Sequence, residues 1–242
     1  MRATPASGTP QSVRFSLTIA GPPGTHSSAK RRLPRFISPA TDGVLIQAYA
    51  HIDAKHVTLL GSSTADVSSG SAACGGHTGY PRTCAVAAPA PVGDDDFVVT
   101  TYDAAPSAGT FSTAAHVLGR GAVNETVVSG AANTASVFIS GVVSSLNPAQ
   151  TFASLPADGM THSFGFVLQP QDFDNDPITA GNNDPYANPI TLTLAETGGS
   201  GHATLVLNGT IVGTTATITH SSDTIALRYD GQGRRIRSRI RR

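Results

Sequence analysis

Three aspartates at alternate positions, Asp172, Asp174 and Asp176, have the spacing in this chain that points most directly to chemistry. They occupy positions 1, 3 and 5 of an EF-hand-like count, in which a turning loop wraps carboxylate oxygens around Ca²⁺. The match ends there, because Pro177 stands where the sharp turn needs Gly, and Asn183 stands where a bidentate Glu is needed. We therefore predict an acidic loop between two strands and no metal centre, with a low-affinity calcium site as the alternative.

The two cysteines, Cys74 and Cys84, are the next residues with a defined chemistry. The segment that joins them, CGGHTGYPRTC, contains Gly and Pro and is of the kind that brings its ends together. No CxxC pair and no Cys/His zinc spacing competes for the two sulfur atoms. We predict a disulfide, which implies oxidising surroundings, and two unpaired thiols in a reducing compartment are the alternative.

The histidines show no catalytic spacing. None of the eight stands in HExxH, in HxH or in a close pair with Cys, and the GxSxG, P-loop and GxGxxG motifs are absent as well. His51 and His56 would point to opposite faces of a continuous strand, so a metal shared between them would need an intervening turn. We predict no catalytic residues and no enzymatic activity.

Asp94, Asp95 and Asp96 follow one another directly before an apolar run that begins at Phe97. On an extended backbone consecutive side chains point to opposite faces, so the three carboxylates cannot converge on one ion without a sharp turn. We interpret them as a solubilising turn, which keeps the following strand, 97–102, from pairing with a neighbouring molecule.

Alternation of apolar and polar residues is the main pattern of the chain, and it indicates strands with one buried face. It is clear in VRFSLTI, SFGFVL, ITLTL and IALRY. The Asn208–Gly209 pair predicts a type I′ hairpin turn between strands 203–207 and 210–213. One segment, TFSTAAHVLGRG, has apolar residues that could share a helical face, but a strand is at least as compatible with it.

Short strands with frequent turns predict an all-β fold of two tandem immunoglobulin-like β-sandwich domains. In this interpretation residues 10–141 form the first sandwich and residues 142–233 form the second. Residues 1–9 are predicted to be a disordered segment. Residues 234–242, RRIRSRIRR, are predicted to be a solvated basic tail, with a one-sided strand and a phosphate-binding segment as the alternatives.

Charge is unevenly distributed although the formal net charge is zero. Six of the sixteen Lys and Arg residues lie in 234–242, which leaves ten basic against sixteen acidic residues in the body of the chain. An acidic body argues against nucleic acid as a partner. No apolar run of about 18 residues is present, so we expect no transmembrane segment, and the first residues do not read as a signal peptide.

A family resemblance rests on two groups of segments. RFISPATDGVLIQAYA, TCAVAAPAPVGDDDFVVTTYD and VSGAANTASVFISGVVSSL resemble a module of secreted proteins from environmental bacteria. FVLQPQDFDNDPI, YANPITLTLAET and IALRYDG are similar to bacterial immunoglobulin-like domains of the invasin and intimin kind. The resemblance implies a repeated β-sandwich that spaces or presents another region, as in adhesion. The Arg-rich end stands where a final strand is expected, which indicates an incomplete second sandwich and a fragment of a longer chain.

These observations lead to one expected function and one alternative. We expect a non-catalytic structural or binding module, extracellular or at the cell surface, whose partner is an unknown protein or a surface glycan. The alternative is a carbohydrate-binding sandwich or an accessory domain of a secreted enzyme. Stacking of sugars would have to use the five Tyr residues, because the chain has no Trp.

Overall fold

A computed structural model describes residues 9–21, 37–146, 151–152, 155, 157–178, 183–197, 201–232 and 237–241. Within these ranges the protein is all-β, as predicted, and one short 3-10 turn, Ala72–Cys74, is the exception to strands and loops. These residues include no helix with the length and apolar character that a membrane span requires. Of the segment predicted to be disordered, residues 1–8 lie outside the described residues.

The chain divides into two compact units, Met1–Val142 and Val143–Arg242. Unit 1 contains two sheets, of three strands in the order β4-β1-β7 and of five strands in the order β3-β2-β5-β6-β8. The strands β1 and β7 pair in parallel, and the other pairs are antiparallel. The strands of unit 1 are β1 (Gln11–Ile19), β2 (Gly43–Ala50), β3 (Leu59–Asp66), β4 (Arg82–Ala90), β5 (Gly93–Tyr102), β6 (Val117–Val127), β7 (Asn133–Ala135) and β8 (Ser140–Gly141).

The core of unit 1 is built by the predicted alternation. In β1 every second side chain from Val13 to Ile19 is buried, and β5 supplies Phe97 and Val99 from the five-stranded sheet. The rings of Phe15 and Phe97 meet edge to face, with centroids 5.4 Å apart, across the two sheets. Each large apolar side chain buried in this way contributes about 1.5–3 kcal/mol. The two sheets therefore pack face to face as a β-sandwich.

Unit 2 contains two four-stranded sheets, in the orders β10-β18-β13-β16 and β11-β17-β14-β15, and a short pair of β9 with β12. Both four-stranded sheets bury alternate apolar residues, including Ile190 and Leu192 from one sheet and Leu205 and Leu227 from the other. Its strands are β9 (Ser145–Leu146), β10 (Thr151–Phe152), β11 (His162–Phe166), β12 (Pro170–Gln171), β13 (Pro185–Thr197), β14 (Ala203–Leu207), β15 (Thr210–Gly213), β16 (Thr215–His220), β17 (Ile225–Tyr229) and β18 (Arg237–Arg241).

Several local predictions are confirmed. The four alternating segments lie in β1, β11, β13 and β17, although β11 ends at Phe166. The Asn-Gly turn joins β14 to β15, and both Asn208 and Gly209 have the positive φ that a type I′ turn requires (50° and 80°). The segment with possible helical spacing runs into β6 and forms no helix. The division into two independently folding domains stays a prediction.

The basic end of the chain differs from the expectation of a solvated tail. Arg237–Arg241 forms strand β18, which pairs with Thr193–Thr197 of β13 on one side and with β10 on the other. The physical reason is that an extended neighbour satisfies the backbone N–H and C=O groups along the edge of β13. The alternative of a strand was therefore the better interpretation, and unit 2 has a strand where the Arg-rich end was expected to replace one.

Candidate functional site

Strand β5 begins at Gly93, so the three consecutive aspartates lie in a strand and not in the predicted turn. The strand is central, because β2 pairs with one edge of it and β6 with the other. Extended geometry then sends Asp94 and Asp96 to the outer face of the sheet and Asp95 to the inner face. The sequence interpretation was right that the three carboxylates do not converge, but wrong that they form a solubilising turn.

Asp96 is the centre of a polar cluster on the outer face of the sheet. Its Oδ1 lies 2.8 Å from His51 Nδ1, and its Oδ2 lies 3.3 Å from His56 Nε2. Asn124 on β6 donates to the same Oδ1 at 3.1 Å. The ring of His56 also stacks on the ring of Tyr49, with centroids 4.8 Å apart. We call these five residues, Tyr49, His51, His56, Asp96 and Asn124, the Asp96 cluster.

Two histidines that sequence spacing kept apart meet here because β2 ends at Ala50. The residues that follow, 51–58, form a turning loop, which we call the β2–β3 loop. Asp53 shapes it by accepting hydrogen bonds from the backbone N–H groups of Val57 and Thr58, both at 2.8 Å. The signal in the sequence was Asp53 itself, since Asp often anchors a turn through such bonds.

The β2–β3 loop and the first residue after it present an unusual amount of apolar surface. Ile52 is 82% exposed, Val57 is 77% exposed and Leu59, the first residue of β3, is 48% exposed. Single exposed aliphatic residues are common, but three on one short segment concentrate exposed apolar surface there, and concentrated apolar surface often marks an interaction site.

The electrostatics of the cluster link the loop to the sheet. The hydrogen bond to Asp96, and then the negative charge of Asp96, raise the pKa of His51 above its usual value. Partial burial acts to raise the pKa of Asp96, but hydrogen bonds from His51, His56 and Asn124 outweigh it and hold that pKa below its usual value. The ion pair of His51 with Asp96 is therefore favoured when the imidazole carries a proton.

Asp95, directly behind this cluster, is in a very different environment. Its side chain is 2% exposed, and its Oδ2 atom has no hydrogen-bond partner among the described residues. Burial, and then the charges of Asp94 and Asp96, raise the pKa of this carboxyl from its ordinary 3.8 to about 6. A buried carboxyl with an unsatisfied oxygen is costly to ionise, so Asp95 keeps its proton to a higher pH than an exposed carboxyl does.

The acidic loop after β12 is organised around Asp172, which is fully buried. Its Oδ1 accepts the backbone N–H groups of Asp174 and Asp176 at 3.0 and 2.9 Å, and Asn175 takes the left-handed conformation at the turn. The first of the three aspartates thus closes the loop internally. In the described ranges no group of three His, Cys, Asp or Glu side chains is placed to hold a metal ion.

Cys74 and Cys84 lie together at the other end of unit 1. The structure brings their sulfur atoms to disulfide distance, which links the 3-10 turn to strand β4. Beside them Arg82 is 1% exposed. Its guanidinium donates to the carbonyl oxygens of Val67 at 2.9 Å and Thr41 at 2.6 Å. A buried arginine at this position was not expected from the sequence, since Arg is rarely fully buried unless it is paired.

Unit 2 contains a cleft of about 390 Å³ where β11, β13, β16 and β17 come together at one end. Phe166, Tyr186 and Ile218 form apolar walls, and His220 and Asp223 are polar lining residues. Burial, and then the charge of Asp223, raise the pKa of Tyr186 above its usual value. No Lys or Arg is among the described lining residues, so the cleft suits a neutral ligand better than an anion.

The carboxylate of Asp223 is engaged by the chain itself. It accepts backbone N–H groups of Thr219 and His220, each at 2.9 Å, and the side-chain amide of Asn208 at 2.9 Å. Asp223 therefore shapes the turn between β16 and β17. In the cleft the negative charge of Asp223 acts through its electrostatic field, because the carboxylate oxygens are already hydrogen-bonded by the chain.

The functional interpretation of these sites rests on their chemistry. No family model, no curated protein and no solved structure matches this chain.

Proposed function

We propose that this chain is a non-catalytic binding module of the secreted or cell-surface kind, in which unit 1 presents the β2–β3 loop to a protein partner. The observation that carries the proposal is the exposure of Ile52, Val57 and Leu59 beside the polar Asp96 cluster. An apolar patch with a polar border is the usual anatomy of a protein interface. Loops held on a rigid sheet scaffold are common binding elements.

Three other features support a role outside the reducing cytosol. The sulfur atoms of Cys74 and Cys84 lie at disulfide distance, and disulfides persist mainly in oxidising compartments. The all-β architecture and the resemblance to bacterial immunoglobulin-like modules agree with a spacing or presenting role. In this proposal the sandwich of unit 1 is the scaffold and the loop is the contact surface.

A matched pair of variants tests the loop as the contact surface. The loop variant carries Ile52→Ser and Val57→Ser, and the control carries Ile211→Ser and Val212→Ser on strand β15, which also exposes two β-branched side chains. Surface proteins captured by the full chain are purified, and their affinity is measured by calorimetry. We expect the loop variant to weaken binding at least about tenfold and the control to leave it unchanged. Equal affinity for wild type and loop variant would exclude the loop.

The non-catalytic part of the proposal has its own test. The full chain is assayed against esters, glycosides and peptides, and we expect no turnover above the uncatalysed rate. An activity that disappears on changing a single His or Asp, such as His56→Ala, would contradict the proposal.

A carbohydrate-binding module is the second candidate, and the cleft of unit 2 is the observation that favours it. Its aromatic walls could stack on a sugar ring while the polar lining residues bond to hydroxyl groups. Calorimetric titration with neutral mono- and disaccharides tests this function. Binding that Tyr186→Ala abolishes and Ile211→Ala leaves intact would support it, and absence of binding across the panel would remove it.

A further inference from the structure

The β2–β3 loop is fastened to the sheet mainly through one carboxylate. His51, the first residue of the loop, and His56 each place a ring nitrogen on a different oxygen of Asp96. The backbone N–H of His51 also donates to the carbonyl oxygen of Asp94 at 3.0 Å. Beneath the loop, Tyr49 is only 9% exposed, and the ring of His56 stacks on it. Release of the two imidazoles would therefore uncover Tyr49.

The residue next to this attachment point is the buried carboxyl of Asp95. In the sheet register Asp95 lies opposite Ala50, the last residue of β2, and opposite Glu125 of β6. Neither neighbour is a cation or a hydrogen-bond donor for the unpartnered Oδ2 atom. Among the described residues, a negative charge on Asp95 would thus have no compensating partner in the interior, at the point where β2 passes into the loop.

We propose that the β2–β3 loop is a pH-sensitive latch, closed on Asp96 at mildly acidic pH and opened at neutral pH, where it uncovers Tyr49. The proposal deepens the proposed function, since it rests on this loop as the partner-binding surface and adds a control on it. Two groups on opposite faces of β5 act together: the imidazole of His51 outside and the carboxyl of Asp95 inside.

The direction of the effect follows from the protonation of the two groups. Asp95 has a pKa of about 6 in the fold, above its ordinary 3.8, so its stabilising contribution is full below 3.8 and is lost as the pH rises through about 6. His51 also has a raised pKa, so its contribution is full below 6.5 and is lost as the pH rises further. Both groups therefore stabilise the fold around the closed loop in acid and contribute less towards neutral pH.

The other described charged groups near the loop do not reverse this dependence of stability on pH. Asp94 on the outer face and Glu125 on β6 are acidic, and they add repulsion once Asp95 ionises. Within the loop, Asp53 is bonded to backbone N–H groups, and Lys55 is exposed. The facing sheet carries Arg82, but Arg82 contacts Thr41 before the start of β2, whereas Asp95 pairs with Ala50 at the end of β2.

Hydrogen–deuterium exchange of the full chain tests the latch without any partner. The amides of His51, Val57 and Thr58 report on the loop, because each donates to a defined acceptor in the closed state. Protection factors are measured at about pH 5 and about pH 7.5, each corrected for intrinsic exchange, with amides of β1 as the internal reference. We expect the loop protection factors to fall at least about tenfold at the higher pH while β1 stays protected.

Three variants decide which groups are responsible. Asp95→Asn should keep more loop protection than wild type at pH 7.5, because only the response of His51 then remains, and Asp66→Asn, an exposed control opposite Gly43 at the other end of β2, should respond to pH as wild type does. His51→Gln with His56→Gln should lose protection at both pH values. Equal wild-type protection at the two pH values would overturn the latch, as would a full pH response in Asp95→Asn. Because no partner is present, a failed latch and a failed binding surface give separate results.

Discussion

Arg82 and Asp95 lie at opposite ends of unit 1, and these two buried ionisable side chains differ in how their hydrogen bonds are satisfied. Arg82 donates hydrogen bonds to two carbonyl oxygens and lies over the ring of Tyr80, with its guanidinium carbon 4.9 Å from the ring centroid. Asp95 has an oxygen with no hydrogen-bond partner in the part of the chain that the structure describes, and its neighbours Asp94 and Asp96 carry like charge. A buried charge is tolerated where its hydrogen bonds are satisfied. We therefore call the Arg82 end of unit 1 the fixed end, and we call the Asp95 end, whose stability depends on pH, the responsive end.

The largest expected effect is at the fixed end. Arg82→Ala would leave the carbonyl groups of Val67 and Thr41 without their donor and open a cavity next to β4. We expect the free energy of unfolding to fall by about 3–5 kcal/mol, measured by urea denaturation. Arg120→Ala, on the exposed face of β6, is the control and should change it by less than about 0.5 kcal/mol. Similar small losses for both variants would show that Arg82 is not structural.

The disulfide should contribute somewhat less at the same end. A crosslink over a sequence separation of 10 residues restricts the unfolded chain. Its loss in Cys74→Ser with Cys84→Ser should lower the free energy of unfolding by about 2.5 to 3 kcal/mol. Mass spectrometry after alkylation of freshly isolated, unreduced protein checks the bond itself. Two alkylated thiols would contradict it.

At the responsive end we expect a substitution to stabilise the protein. Asp95→Val removes the unpaired carboxyl from the inner face and suits a strand, so it should raise the free energy of unfolding by about 1–3 kcal/mol at pH 7.5. The gain should shrink as the pH falls below about 6, because the wild-type carboxyl is then neutral. Urea denaturation across this pH range measures both quantities. A destabilising effect at pH 7.5 would show that the charge of Asp95 is compensated in solution.

The smallest effect is expected at Asp172, a second buried acid, whose Oδ1 is already bonded to the loop backbone. Thermal melts with about 5 mM calcium and with excess chelator should therefore coincide within error. A rise of several degrees with calcium, abolished by Asp174→Ala, would show that the alternative calcium interpretation of this loop was right.

Local pattern alone determined the strands with clear alternation and the tight turn of this protein. Strand alternation reflects how neighbouring side chains divide between core and solvent, and an Asn-Gly turn reflects backbone freedom at two residues, so both can be read within a few positions. The alternation from Val13 to Ile19 and the turn at Asn208 and Gly209 were predicted for this reason. The pairing of Cys74 with Cys84 was also predicted from local sequence, because a short polar segment joins the two residues.

Only the tertiary structure decided what the acidic and basic residues do. Asp95 and Asp96 are neighbours in sequence, but the register of β5 between β2 and β6 sends one to the core and the other to His51 and His56. In the same way, β18 depended on an available edge of β13, which lies about 40 residues away in sequence. Charge and hydrogen-bond partners are set by such long-range pairing, which no short window of sequence contains.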